Sequence, residues 1–205
     1  CDYMLTKLRR FLDTYTRKIG YAVAHIIPSP NIITILGLLF AIIFLSLILI
    51  STNYTYVIAI IFYILSISMD VLDGAVAKAT GKSSKVGAFL DSTIDRITDA
   101  IYILALYYIL DLNLIILFLL LFGCLMISYI RAKAESIGLK MEGIGIAERG
   151  DRLILILLIL LTSIFSKMSA LILTVVLLVL VLITIVQRIY YTLSKGYIFE
   201  KNTKL

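Results

Sequence analysis

Apolar residues run through this chain in long stretches broken only by short polar segments, the pattern of helices that cross a bilayer. The stretches predict six spans, at about 32–50, 54–79, 87–110, 112–136, 149–165 and 168–193. The connections at 51–53, 80–86, 111, 137–148 and 166–167 are too short for a second folded domain. Residues 1–205 are therefore expected to form one all-α integral membrane domain, with an arm (1–31), a six-helix bundle (32–193) and a tail (194–205). In the arm, Leu5, Leu8, Leu12, Tyr15, Ile19 and Ala22 recur at spacings of three and four, while Lys7, Arg9, Arg10, Arg17 and Lys18 take the other face. That stripe predicts an amphipathic helix in the headgroup plane, ended by Pro28 and Pro30.

Six spans put both termini on one side, and the basic residues gather there. Of the 19 Lys and Arg, only Lys167 falls outside the arm, the tail, the 80–86 and 137–148 connections and the span ends beside them. By the positive-inside rule that face is cytosolic. Tyr54, Tyr56, Tyr107 and Tyr108 fall at the outer boundary and Tyr129, Tyr190 and Tyr191 toward the inner one, as in an aromatic belt. Composition agrees: the chain is 61% hydrophobic and 16% charged, with a mean hydropathy of +1.07, which excludes a water-soluble globule. The formal charge of +6 lies along one membrane face, so no nucleic-acid partner is expected. Cys1 and Cys124 imply no disulfide framework, and His25, the only histidine, has no second His or Cys beside it. Cys1 stands where an initiator Met would, so the native N-terminus is expected to differ.

Carboxylates inside apolar spans cost several kcal/mol each, so a cluster of them marks a functional site. Asp70 and Asp73 share a face of the second span, and Asp91, Asp95 and Asp99 share a face of the third. The pairs Asp70/Asp73 and Asp91/Asp95 flank the 80–86 connection, which opens the site to the cytosol. Salt bridges to Arg96 and Lys78 would leave most of their repulsion unanswered. Oxygen-only ligation without His or Cys suits Mg²⁺, or Mn²⁺ as a substitute, and four carboxylates are enough for two ions. Two such ions are an arrangement for phosphoryl transfer. Asp99 lies one turn deeper and is expected to support Asp95 or a neighbouring helix.

The spacing is more specific. From Asp70 to Asp95 the chain reads D-x2-D-G-x2-A-K-x8-G-x3-D-x3-D, which resembles the signature of the CDP-alcohol phosphotransferase family, with Lys78 in place of the usual Arg. The resemblance implies six membrane helices after an interfacial helix, a homodimer, and transfer of a phosphatidyl-type group from a CDP-linked lipid to an alcohol with release of CMP. It implies metal ligation by Asp70, Asp73, Asp91 and Asp95, with Asp95 also the general base. Gly74 would let the nucleotide approach the helix, and Lys78 would contact a phosphate or the nucleotide as a point charge. Pro30-Asn31-Ile32-Ile33-Thr34 is similar to a segment lining the family's cytidine site, and Ser84 falls at a nucleotide-contacting position. Asn31, Thr34, Gly74, Lys78 and Ser84 are thus expected to bind the CDP-lipid.

A basic constellation bears on the acceptor. Arg131 and Lys133 close the fourth span, Arg149 and Arg152 open the fifth, and Arg188 stands near the end of the sixth. Together they predict a focused anion site for an acceptor that carries its own phosphate. The segments Ser128–Glu135, Glu148–Arg152 and Gln187-Arg188 resemble those of the phosphatidylinositol phosphate and archaetidylinositol phosphate synthase subfamilies, in which the basic residues hold the phosphate of inositol 1-phosphate. An isoleucine-rich chain without Trp fits an archaeal source and hence CDP-archaeol as donor. Two alternatives stand beside this. One is another acceptor in the same family, such as glycerol 3-phosphate, serine or a CDP-inositol. The other is a divalent-cation transporter, against which the position of the acids near the cytosolic span ends counts.

Overall fold

In a computed structural model of the chain, residues 18–50 and 52–203 are described, with 197–203 as backbone only. Helix is the only regular structure among them: α1 (Pro30–Ile50), α2 (Asn53–Thr80), α3 (Lys85–Leu110), α4 (Leu114–Ser136), α5 (Arg149–Ser163) and α6 (Lys167–Thr203). These match the six expected stretches, but α6 runs on from the expected 193 to Thr203, through much of the segment read as a tail. Residues 18–24 are also helical. The rest of the amphipathic stripe, from Leu5 to Tyr15, lies outside the described residues.

The helix ends follow local chemistry. Pro30 opens α1, where its fixed φ and missing N–H cost nothing. Thr52 and Thr55 form a capping box on α2, and Gly81, at φ 67°, ends that helix in the left-handed conformation. Asn113 caps α4, and Glu148 and Asp151 cap α5 reciprocally.

Among the described residues, four helices are long and apolar enough to cross a membrane: α1, α2, α4 and α6 over Lys167–Gly196. The chain is a multi-pass membrane protein. Among the other two, α3 carries Asp91, Asp95, Arg96 and Asp99, and α5 has 15 residues, roughly 22 Å of helix against the ~30 Å of a hydrocarbon core.

The chain divides into two compact units between Ile101 and Tyr102, within α3. In the first, α1 and α2 pack as an antiparallel pair with little between their backbones. The Ser66 hydroxyl donates to the Gly37 carbonyl at 2.6 Å, and a Cβ on Gly37 would stand 3.2 Å from that of Met69. Higher on the same seam, Phe44 and Tyr63 are fully buried and meet with ring centroids 5.5 Å apart. Small residues and an interhelical hydrogen bond drive such packing where lipid removes the hydrophobic term. Gly20, in the helical stretch before α1, is buried against α2, where an added Cβ would fall 2.4 Å from the Ala75 carbonyl oxygen.

In the second unit, α4 and α5 pack on α6. The buried stripe of α6 is Ala170, Thr174, Leu177, Val181, Thr184 and Arg188, alternating spacings of four and three. Gly123 lets α4 approach Val181 closely, and Gly145, at φ 113°, presses the 137–148 connection onto Thr184. Cys124 is a buried thiol outside any disulfide.

Candidate active site

The motif aspartates come together in the first unit. One carboxylate oxygen from each of Asp70, Asp91 and Asp95 lies within 4.8 Å of the others, all three residues being half-buried. With all three ionised, each pair at that separation repels by about 3 kcal/mol at an effective dielectric of ~20. A divalent cation removes that repulsion, and three carboxylates with no nitrogen or sulfur donor fit a hard ion. Arg96 offsets it only weakly: its guanidinium stands 3.3 Å from Asp95 and donates more closely to the Ser92 carbonyl, at 2.6 Å.

Asp73 is placed differently. It is buried, and its Oδ2 accepts a 2.7 Å hydrogen bond from the Thr34 hydroxyl of α1. It lines, with Asp91, a cavity of about 170 Å³ whose walls include Asn31, Thr34, Gly74, Lys82, Ser84 and Gly87. Gly74 faces open space, with nothing within 4 Å of an added Cβ, so a ligand can lie against the helix there. The Ser84 hydroxyl accepts from the Gly87 amide at 2.9 Å and so caps α3. A Cβ at Gly87 would crowd both Ser84 Oγ, at 3.0 Å, and Asn31 Oδ1, at 3.1 Å. The motif glycine therefore lets these two polar side chains converge.

The structure thus brings Asn31, Thr34, Gly74 and Ser84 to one cavity with Asp73 and Asp91. Lys78 is exposed and is not among the lining residues. Lys82 is, and the sequence reading passed over it: α2 must end at Gly81 for the next residue to reach the cavity mouth. Ser83 and Ala77 were missed likewise.

In the second unit the five basic residues take unequal positions. Arg188 is 3% exposed, donating from Nε to the Ile144 carbonyl and from NH1 to the Ile127 carbonyl, both at 2.8 Å. Arg152, also 3% exposed, donates to the Ala147 carbonyl at 3.2 Å. Arg131 is exposed and pairs with Glu135 one turn on, at 2.9 Å. Arg131 and Arg152 lie within electrostatic range of Arg188, as do Glu148 and Glu135. Lys133 is exposed and Arg149 opens α5. The buried pair brace the 137–148 connection, helped by Gln187 and Thr184, whose side chains accept from the Ile146 and Ala147 amides at 3.1 Å. The stripe of α6 carries the signal for Thr184 and Arg188, whose inward phase is set by the apolar residues before them.

Comparison with known proteins identifies the family. The family model for CDP-alcohol phosphatidyltransferase matches residues 28–189. The chain is 40% identical over 192 residues to the archaetidylinositol phosphate synthase of Aeropyrum pernix, covering 92% of this chain and 95% of that one. It is 37% identical over 190 residues to that of Pyrococcus horikoshii, covering 91% and 95%. The crystal structure of Mycobacterium tuberculosis phosphatidylinositol phosphate synthase with CDP-DAG bound superposes with a TM-score of 0.73 at 29% identity, covering 86% and 92%. A second structure of that enzyme, with manganese and citrate, gives 0.72 at 28% identity, covering 86% and 88%. On the matched span, the identities and the shared fold, the chain is a transferase that belongs to the CDP-alcohol phosphatidyltransferase family.

Proposed function

We propose that this protein transfers the phosphatidyl-type group of a CDP-lipid, CDP-archaeol, to inositol 1-phosphate, releasing CMP and forming archaetidylinositol phosphate. The observation that carries the reading is the three-carboxylate cluster of Asp70, Asp91 and Asp95 within the same unit as the Asn31, Thr34 and Gly74 cavity. The names of the archaeal relatives and the CDP-DAG bound by the mycobacterial enzyme support the substrate classes.

In this reading the cytidine sits against Asn31, Gly74 and Ser84. The Asp95 carboxylate takes the proton of the acceptor hydroxyl, whose oxygen bonds to the lipid-side phosphorus as the bond to CMP breaks. Two Mg²⁺ ions, held by Asp70, Asp73, Asp91 and Asp95, would neutralise the diphosphate and the leaving CMP. The manganese of the mycobacterial enzyme and the oxygen-only donor set support a divalent ion. Arg131, Lys133, Arg149, Arg152 and Arg188 supply positive charge for the acceptor phosphate, with Arg152 and Arg188 also holding the connection in place. The same reading has α3 and α5 crossing with the other four helices, residues 1–205 acting as one homodimeric domain, and the site facing the cytosol.

The test is CMP release by purified protein in detergent with Mg²⁺, across a panel of CDP-lipids and alcohols. Release with CDP-archaeol and inositol 1-phosphate is expected. Release only with glycerol 3-phosphate, serine or a CDP-inositol would replace the acceptor, and release with none would overturn the reading.

A further inference from the structure

We infer that Lys82 is a further binding residue for the donor, holding a phosphate oxygen of the CDP-linked substrate at the mouth of the first unit's cavity. The inference rests on the proposed function and deepens it by assigning the donor's charge to a residue that the motif does not contain.

Among the described residues, Lys82 is the one cation lining the cavity, whose walls also hold the carboxylates of Asp73 and Asp91. Its ammonium donates to the Pro28 carbonyl oxygen at 3.0 Å, across 54 residues of sequence. That partner is neutral and the side chain is exposed, so the contact is worth little and is readily exchanged. An ammonium carries three donors, and a phosphate oxygen brought beside it offers a charge-assisted bond about twice as strong as a neutral one. Position decides the rest. Lys82 follows the left-handed Gly81 and precedes Ser83 and Ser84, which also line the cavity. Lys78, one turn earlier on α2, does not line it. The Pro28 contact keeps the ammonium close to Asn31 and Thr34 until an anion arrives.

The phosphate could belong to the donor or to the acceptor, and the experiment separates them. Full-length wild type, Lys82→Met, Lys82→Arg and, as a control on net charge, Lys140→Met are purified in detergent with Mg²⁺. CDP and cytidine binding are measured by calorimetry, and KM for the CDP-lipid and for inositol 1-phosphate from CMP release. In Lys82→Met, CDP affinity is expected to fall roughly ten-fold, the size of one charge-assisted hydrogen bond. Cytidine affinity and the acceptor KM stay as in wild type, the CDP-lipid KM rises with kcat little changed, and Lys82→Arg recovers most of the loss.

Wild-type CDP affinity in Lys82→Met would overturn the inference, whether or not loss of the Pro28 contact lowers the unfolding temperature. A rise in the acceptor KM alone would overturn the donor assignment. Failure of the wild type itself to bind CDP would instead sink the proposed function, which distinguishes the two.

Discussion

The Thr34 hydroxyl of α1 donates to Asp73 Oδ2 of α2 at 2.7 Å, joining the α1 segment that lines the cavity to a carboxylate of the motif. Thr34 is thereby a positioning residue for Asp73 as well as part of the cavity wall. Thr34→Val keeps the shape and removes the donor, leaving a buried carboxylate short of a partner at a cost of roughly 1.5–3 kcal/mol. CMP release is expected to fall at least about ten-fold, with Mn²⁺ affinity, read by electron paramagnetic resonance, falling alongside. Thr34→Ser should retain most of both. Loss in the Ser variant with the Val variant close to wild type would mean that the methyl group, and not the hydroxyl, matters.

Asp95→Asn removes the proposed base while keeping the size of the side chain. A loss of CMP release by roughly 10²–10⁴ is expected, the range of general-base contributions, with the unfolding temperature preserved. Turnover close to wild type would refute the role given to Asp95. Chelation with EDTA is expected to silence the wild type, and added Mg²⁺ or Mn²⁺ to restore it.

Arg188 and Arg131 should separate structure from binding. Arg188→Met leaves the Ile144 and Ile127 carbonyls without their donor in a buried setting, at a cost of several kcal/mol, so a lower unfolding temperature is expected. Arg131 is exposed and its pair with Glu135 is worth under ~1 kcal/mol, so Arg131→Ala should be thermally silent and raise only the acceptor KM. An unchanged acceptor KM would remove Arg131 from the anion site.

Gly20→Ala introduces a Cβ 2.4 Å from a backbone oxygen of α2, and backbone cannot swing aside as a long side chain can. The stretch 18–24 is expected to leave α2 in this variant, seen as faster proteolysis of the arm while CDP affinity changes little. Unaltered proteolysis would show that the helical turn adjusts in place.

The carboxylates were legible in the sequence because charge inside an apolar helix costs too much to be incidental, and periodicity alone put them on shared faces. The division among them was not. That Asp73 leans to Thr34 while Asp70, Asp91 and Asp95 cluster depends on the register of α1 against α2, set by Gly37 and Ser66 across 29 residues. Which lysine reaches the cavity depended on one left-handed residue at the end of α2. The continuation of α6 past 193 was hidden by Gly196 and the polar residues on either side of the short apolar run 197–199, although no proline interrupts it. Arg188 was legible as a cation but not as a brace, because its partners are backbone carbonyls that no side-chain pattern encodes.

The seam between α1 and α2 has a further consequence. Gly37 and Ser66 meet backbone to side chain with no flexible group between them, while Ile35, Leu39 and Ile42 point outward on the same helix and are about half exposed. Changes in acyl packing or temperature act on that outer surface, where side chains can swing. The spacing from Asn31 and Thr34 to Asp73 is fixed on the inner one. The geometry of the cavity is therefore expected to depend little on the fluidity of the surrounding membrane.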